Sequence, residues 1–183
     1  MVRLPNSRDD ALTLDAHDPL ASVRASFVLP ESVVYLDGNS LGPPPQALFG
    51  RLAEVLRKEW GTDLIRSWTR HGWIDLPERV AASIARLIGA APDEVVVADS
   101  TSVNLFKLLV AALRLRPGRR VILSERENFP TDLYMAAGLA DLLGDRAELR
   151  LVDRTDLAQS LDSDVAVLML TPVDFRDGEI HDM

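Results

Sequence analysis

Residues 94–144, EVVVADSTSVNLFKLLVAALRLRPGRRVILSERENFPTDLYMAAGLADLLG, decide the fold class of this chain. Short apolar runs at 94–98 and 119–124 each lead into a longer segment with helical character. This alternation is typical of βαβ units, in which helices cover both faces of a parallel sheet. The sequence therefore predicts an α/β fold built on a parallel-type sheet.

The same reasoning extends to both sides of this stretch. Toward the C-terminus the pattern predicts strands at 148–153 and 165–170, with a short helix at 157–161 between them. Toward the N-terminus, apolar spacing and capping signals predict three helices and one short strand. The helices are expected at 18–27, at 46–60, and from a capping box at 75–78 to Gly89; the strand is expected at 33–36.

Composition narrows the possible partners. The 183 residues include 20 Lys and Arg against 28 Asp and Glu, a net charge of -8. This acidic balance argues against nucleic acid or an anionic membrane surface and favours a small molecule or a protein as partner. Cysteine is absent, so neither a disulfide nor a thiolate metal site can form within these residues. With no signal pattern and no long apolar run, we expect a soluble, cytoplasmic protein.

Polar clusters follow three of the predicted strands. They lie at 99–102, at 124–132 and at Thr171. In open parallel sheets, ligands bind at the carboxyl ends of the strands. The coincidence of three polar strand ends therefore predicts a small-molecule site.

Two of these clusters have features that suit a flat, phosphorylated ligand. Thr101 and Ser102 begin a predicted helix, where free N–H groups and the helix dipole favour an anion such as phosphate. The alternative is that Ser100 or Thr101 only caps that helix. Within ENFPTD, Phe129 can cover a flat ligand with Asp132 beside it; alternatively Phe129 is a core residue and Asp132 an N-cap.

Five motifs resemble one family in their order and spacing. They are LDGNSLGPPP at 36–45, DLIRSWTRHGWIDLPERV at 63–80, EVVVADSTSVNLFKLL at 94–109, ERENFPTDLY at 125–134 and LMLTPVDFRDGEIHDM at 168–183. Together they resemble the N-terminal portion of kynureninase. The resemblance implies a pyridoxal 5'-phosphate enzyme of the aspartate-aminotransferase-like fold type I, incomplete at its C-terminus here. Such enzymes are homodimers that hydrolyse L-kynurenine to anthranilate and L-alanine, in tryptophan catabolism and NAD biosynthesis.

The resemblance also assigns roles on the cofactor side of the site. It implies that Thr101 and Ser102 hold the cofactor phosphate and that Phe129 stacks on the pyridine ring. Asp132 lines the same pocket, and Thr171 matches a further position that contacts the cofactor. These five residues form the predicted cofactor-binding set.

On the substrate side, the resemblance implies contacts from Asn39, Ser40 and Trp68. Trp68 alternatively belongs to a core or interface cluster with the other tryptophans. The resemblance further divides the chain into an N-terminal segment, 1–60, with small-domain and dimer contacts, and the first part of the large cofactor-binding domain, 61–183.

The chain departs from the family in its lysines. Lys58 and Lys107 are the only ones, and neither matches the family's Schiff-base position. We therefore expect no catalytic residue among these 183 and no activity from the chain alone. Lys107 is expected to extend into solvent.

Other functions remain open on the sequence. One is a non-catalytic interaction or regulatory protein derived from a pyridoxal-phosphate enzyme; another is a cysteine desulfurase-like enzyme, against which GNSLG and NFPTD argue. His17, His71 and His181 lack the sequence context of a Ser-His-Asp triad. The acidic run at 174–182 is interpreted as a solvated turn at Asp177-Gly178, and no metal is expected.

Overall fold

Two units make up the structure, a computed structural model that describes residues 5–182. They divide between Arg79 and Val80. The first unit is helical and irregular, and the second carries the sheet. The predicted division into 1–60 and 61–183 concerns domains of a larger enzyme and stays a prediction.

The first helix, α1 (Arg8–Ala16), was not predicted from the sequence. It has no buried residue, so the apolar stripe that identifies most helices is missing. Its start is fixed locally instead, because the Ser7 hydroxyl accepts a hydrogen bond of 3.1 Å from the Asp10 N–H. The predicted helix at 18–27 is a shorter 3₁₀ helix, Ala21–Ser26. Before its first turn, the Asp18 carboxylate accepts a hydrogen bond from the Leu20 N–H.

The strand expected at 33–36 is wrong. These residues form no regular element, and Val34 is 84% exposed. A strand needs a neighbour for its N–H and C=O groups, and none pairs with this run among the described residues. The chain turns at 37–41, and Pro45 forms an isolated antiparallel bridge with Phe27.

The helix expected at 46–60 is longer than predicted. Helix α2 (Gln46–Glu54) continues without a break into a π-helical segment, Val55–Asp63. Trp60-Gly61 therefore does not end it, because the wider turn carries the backbone past the glycine. Two further helices follow, α3 (Ser67–Arg70) and α4 (Leu76–Ile88). Gly89 closes α4 in the left-handed region at φ +73°, which confirms the predicted C-terminal signal.

The second unit confirms the α/β prediction. Its elements in order are α5 (Thr101–Leu115), β1 (Val121–Glu125), α6 (Pro130–Leu143), β2 (Glu148–Val152) and β3 (Val165–Met169). The three strands form one parallel sheet in the order β2-β1-β3. The 157–161 helix is present only as short 3₁₀ turns at Arg154–Asp156 and Ala158–Ser160.

Strand β1 is the centre of the core, and all five of its residues are buried. Its Ile122 packs with residues of α5 and α6, namely Leu109, Ala136 and Leu139. On the other face, Val121 and Leu123 pack with Leu157, so short helical turns cover that side. Burying each such side chain contributes roughly 1.5–3 kcal/mol.

The strand expected at 94–98 is wrong as well. A 3₁₀ turn, Pro92–Glu94, leads into irregular backbone, and Val96 is 83% exposed. Val95 has extended angles of φ -116° and ψ 131°, but no strand of the described sheet pairs with this segment. A run of valines thus sets the local conformation without supplying the hydrogen-bond partners.

Candidate functional site

The N-terminus of α5 is fixed by its own neighbourhood. The Ser100 hydroxyl accepts from the Val103 N–H at 3.4 Å, and the Asn104 side chain donates to the Ala98 carbonyl at 2.7 Å. Asp99 adopts the left-handed region at φ +45°, and its carboxylate pairs with the Lys107 ammonium. These two hydrogen bonds and one ion pair therefore fix the conformation of the turn before the helix.

This arrangement identifies the residue of the hydroxyl cluster that caps the helix. Ser100 is the cap, so the hydroxyls of Thr101 and Ser102 do not have that task. Thr101 is exposed and Ser102 is half-buried. Helix geometry leaves the N–H groups of the first turn without an intrahelical acceptor, which suits an anion.

The carboxyl ends of β1 and β3 are joined by one buried side chain, Asn128. Its Oδ1 accepts from the Phe129 N–H at 2.7 Å and from the Thr171 hydroxyl at 2.6 Å. Its Nδ2 donates to Ser124 Oγ at 3.0 Å and to the Met169 carbonyl at 3.3 Å. Phe129 and Thr171, predicted independently from two strand ends, thus share a partner. Sequence reasoning missed Asn128, although its position in the turn that follows a buried strand was a usable signal.

Phe129 is not a core residue, because 42% of it is exposed. Its ring meets the Phe175 ring edge to face, with centroids 5.1 Å apart and planes at 78°. Arg176 lies over the Phe175 ring at 4.9 Å. One aromatic face is therefore held in place while part of the ring stays accessible.

Asp132 lies in the first turn of α6 and does not cap it, because the N-cap residue is Phe129. Its backbone N–H donates to the Phe129 carbonyl at 3.0 Å. Burial raises the pKa of the Asp132 carboxyl above its usual value. Asp132 is thus tied to the same turn as Phe129.

Glu125, the last residue of β1, carries a buried carboxylate. His181 Nε2 is 3.0 Å from Glu125 Oε1, and both side chains are almost completely buried. Arg154 donates to the Ile180 carbonyl at 3.0 Å and pairs with Glu179. These contacts attach the C-terminal turn to the sheet. That turn confirms the Asp177-Gly178 signal, with an antiparallel bridge between Val173 and Ile180 and Gly178 at φ +76°.

Asn39 and Ser40 belong to the first unit and are exposed. They lie in a turn in which the N–H groups of Ser40 and Leu41 both point to the Asp37 carbonyl at 3.3 Å. The Tyr35 hydroxyl donates to the Leu41 carbonyl at 2.5 Å. The LDGNSLGPPP motif is therefore a braced turn, and its prolines and glycines suit such a conformation.

Trp68 lies in α3 and is half exposed. It lines an open pocket together with Trp60, Leu64, Ile65 and Trp73. Trp68 therefore shares an open pocket with the other two tryptophans, and its contact with substrate stays a prediction.

Two buried carboxylates support this pocket from the π-helical segment. Glu59 accepts from Arg51 and from Trp73 Nε1, the latter at 2.6 Å. Asp63 accepts from Arg70 and from His71 Nε2, the latter at 2.8 Å. The pKa of the Glu59 carboxyl is lowered mainly by the hydrogen bond from Arg51 and next by that from Trp73. The pKa of the Asp63 carboxyl is lowered mainly by the hydrogen bond with His71.

Sequence reasoning missed Glu59 and Asp63. Their four-residue spacing puts them on one side of a helix, but acidic side chains at that spacing usually face solvent. In the structure their partners come from residues 51 and 70–73, which only folding brings near.

Two negative findings concern the part of the chain that is described. Within residues 5–182, no group of three or more His, Cys, Asp and Glu side chains is arranged to hold a metal. No helix in that range is long and apolar enough to cross a membrane.

The second unit combines a three-stranded parallel sheet, flanking helices and a half-exposed aromatic ring after β1. It is a partial fold type I domain, the fold of many pyridoxal-phosphate enzymes. Comparison with known proteins then shows that the chain is similar to the N-terminal portion of proteins named kynureninase.

The similarity covers almost the whole chain but less than half of each relative. Kynureninase of Pseudomonas fluorescens is 55% identical over 182 residues, which are 97% of this chain and 44% of that protein. Kynureninases of Burkholderia mallei (strain SAVP1) and Burkholderia pseudomallei (strain 1106a) are each 53% identical with the same coverage. No family model matches the chain.

Proposed function

We propose that this chain is the cofactor-anchoring part of a kynureninase, an enzyme that hydrolyses L-kynurenine to anthranilate and L-alanine. One observation carries the proposal: the predicted cofactor residues lie at the carboxyl ends of β1 and β3 and at the start of α5. The similarity to proteins named kynureninase supports the same reaction.

The residues at these positions fit pyridoxal 5'-phosphate. Thr101 and Ser102 would bind the phosphate, because their N–H groups and hydroxyls are donors at a positive helix end. Phe129 would cover the pyridine ring with its accessible face. Thr171 and Asp132 would line the pocket below that ring.

The cofactor, when bound, would supply the electron sink for cleavage of the bond between the β-carbon and the γ-carbonyl carbon of L-kynurenine. The chain's own residues bind and orient. The hydrogen bonds of Ser100 and Asn104 fix the turn before α5, so the phosphate donors would need no rearrangement on binding. The Phe129–Phe175 contact keeps the covering ring from rotating away.

On the substrate side, we propose that Asn39, Ser40 and Trp68 receive L-kynurenine. The hydroxyl and amide of the turn suit the polar amino-acid end, and the indole suits the aromatic ring. The complete enzyme would act as a cytoplasmic homodimer in tryptophan catabolism, on the route to NAD.

A specific observation favours a second candidate. The Lys107 ammonium is paired with Asp99, and Lys58 is the other lysine of these 183 residues. If neither lysine amine reaches the cofactor, the anchoring site would bind it without catalysis. It would then be a non-catalytic interaction or regulatory protein.

Equilibrium titration with pyridoxal phosphate and with inorganic phosphate tests the anchoring site. We expect Thr101→Ala combined with Ser102→Ala to weaken both ligands at least about tenfold, because charge-assisted donors are lost. Thr155→Ala, which removes an exposed hydroxyl from a 3₁₀ turn, is the matched control and should change neither. Equal affinities in the double variant and the original protein would contradict the assignment.

A further inference from the structure

One side chain connects the residues proposed to face the cofactor ring. Asn128 is only 5% exposed and satisfies four hydrogen-bond partners. Two of them are the Phe129 N–H and the Thr171 hydroxyl, which lie after different strands of the sheet. The other two are in the strands themselves, Ser124 Oγ and the Met169 carbonyl.

We propose that Asn128 is a positioning residue that sets Phe129 and Thr171 against the ring side of the ligand. It acts through these two residues and does not touch the phosphate side, which is held at α5. The proposal deepens the proposed function and depends on it for the identity of the ligand. What the proposal adds is that the Asn128 side-chain amide couples the carboxyl ends of β1 and β3.

Only an amide fits this position. The oxygen faces two donors and the nitrogen faces two acceptors, so both halves of the side chain are matched. A carboxylate at 128 would set a second oxygen against the Met169 carbonyl. An apolar side chain would leave several buried polar groups unpaired, which costs about 1–3 kcal/mol for each.

Ser124 makes a matched control possible. Its hydroxyl donates to the Met169 carbonyl at 2.8 Å and accepts from Asn128 Nδ2, so it belongs to the same network. It makes no contact with the Asn128 oxygen that holds Phe129 and Thr171. Ser124→Ala therefore perturbs the buried network and leaves the positioning contacts in place.

The test compares Asn128→Ala with Ser124→Ala in the full chain by two readouts. The first is affinity for pyridoxal phosphate against affinity for inorganic phosphate. We expect Asn128→Ala to weaken pyridoxal phosphate about tenfold and to change inorganic phosphate less than about twofold. Ser124→Ala should lower thermal stability and leave both affinities within about twofold.

The second readout needs no ligand: hydrogen exchange of the Phe129 amide, followed by NMR. Loss of its acceptor in Asn128→Ala should accelerate exchange at least about tenfold relative to Ser124→Ala. Equal exchange rates in the two variants, or parallel losses of both ligand affinities in Asn128→Ala, would overturn the positioning role. If the original protein binds no pyridoxal phosphate, the proposed function fails, and the amide exchange still decides whether Asn128 positions Phe129.

Discussion

At the scale of single residues, neighbours decide which polar groups are available for a ligand. Three hydroxyl residues follow one another at 100–102, and only the structure distinguishes the cap from the rest. Ser100 is used by the helix, so Thr101 and Ser102 keep their donors. Asn128 has the opposite character, because all of its hydrogen-bonding capacity is used within the protein.

The buried carboxylate of Asp63 predicts a pH dependence of stability. Its pKa is lowered in the folded state, chiefly by the His71 contact. Such a group contributes stability above its unfolded pKa, near 4, and loses it as the pH falls through the lower folded value. We expect the melting temperature of the original protein to drop below about pH 4 more steeply than that of Asp63→Asn. Thermal melts at a series of pH values check this, and parallel curves would contradict it.

At the scale of elements, hydrogen-bond partners decide which apolar runs become strands. The runs at 94–98 and 119–124 look equally suited to a sheet in the sequence. The second becomes β1, between β2 and β3, and the first stays irregular. Helices α5 and α6 depend less on distant residues, because their hydrogen bonds are internal and their start signals are local.

A matched pair of substitutions tests this difference. Val121 is completely buried in β1, and Val96 is 83% exposed. We expect Val121→Ala to lower the free energy of unfolding by about 2 kcal/mol through lost burial and a residual cavity. Val96→Ala should change it by less than about 0.5 kcal/mol. Urea denaturation measures both, and similar losses would mean that the 94–98 segment is packed like a strand.

At the scale of the whole molecule, these residues contain the proposed anchoring groups and two lysines, Lys58 and Lys107. Pyridoxal-phosphate catalysis requires a lysine that binds the cofactor covalently. Lys107 is the one near the proposed phosphate site, and its ammonium is paired with Asp99. The proposed activity of the complete enzyme and the behaviour of this chain are therefore separate questions.

We expect the 183-residue chain to form no anthranilate from L-kynurenine in the presence of pyridoxal phosphate. The assay follows anthranilate fluorescence. Borohydride treatment followed by peptide mapping should find no cofactor specifically attached to Lys107. A measurable rate that Lys107→Arg abolishes would contradict the expectation and make Lys107 catalytic.

The sequence by itself determined the α/β class, the positions of α5, α6 and the three strands, and the braced turn at 37–41. These features depend on periodicity, capping and turn residues, which act over a few positions. The motifs also indicated the family, which the similarity to kynureninases supports.

Only the tertiary structure decided which apolar runs found partners and which polar residues became buried. The strands expected at 33–36 and 94–98 failed because pairing is non-local. Asn128 gained its role from Thr171, which is distant in sequence, and Glu59 and Asp63 gained theirs from Trp73 and His71, which lie beyond the helical segment that carries both carboxylates. Local signals fix the elements, whereas burial and hydrogen-bond partnership are properties of the folded chain.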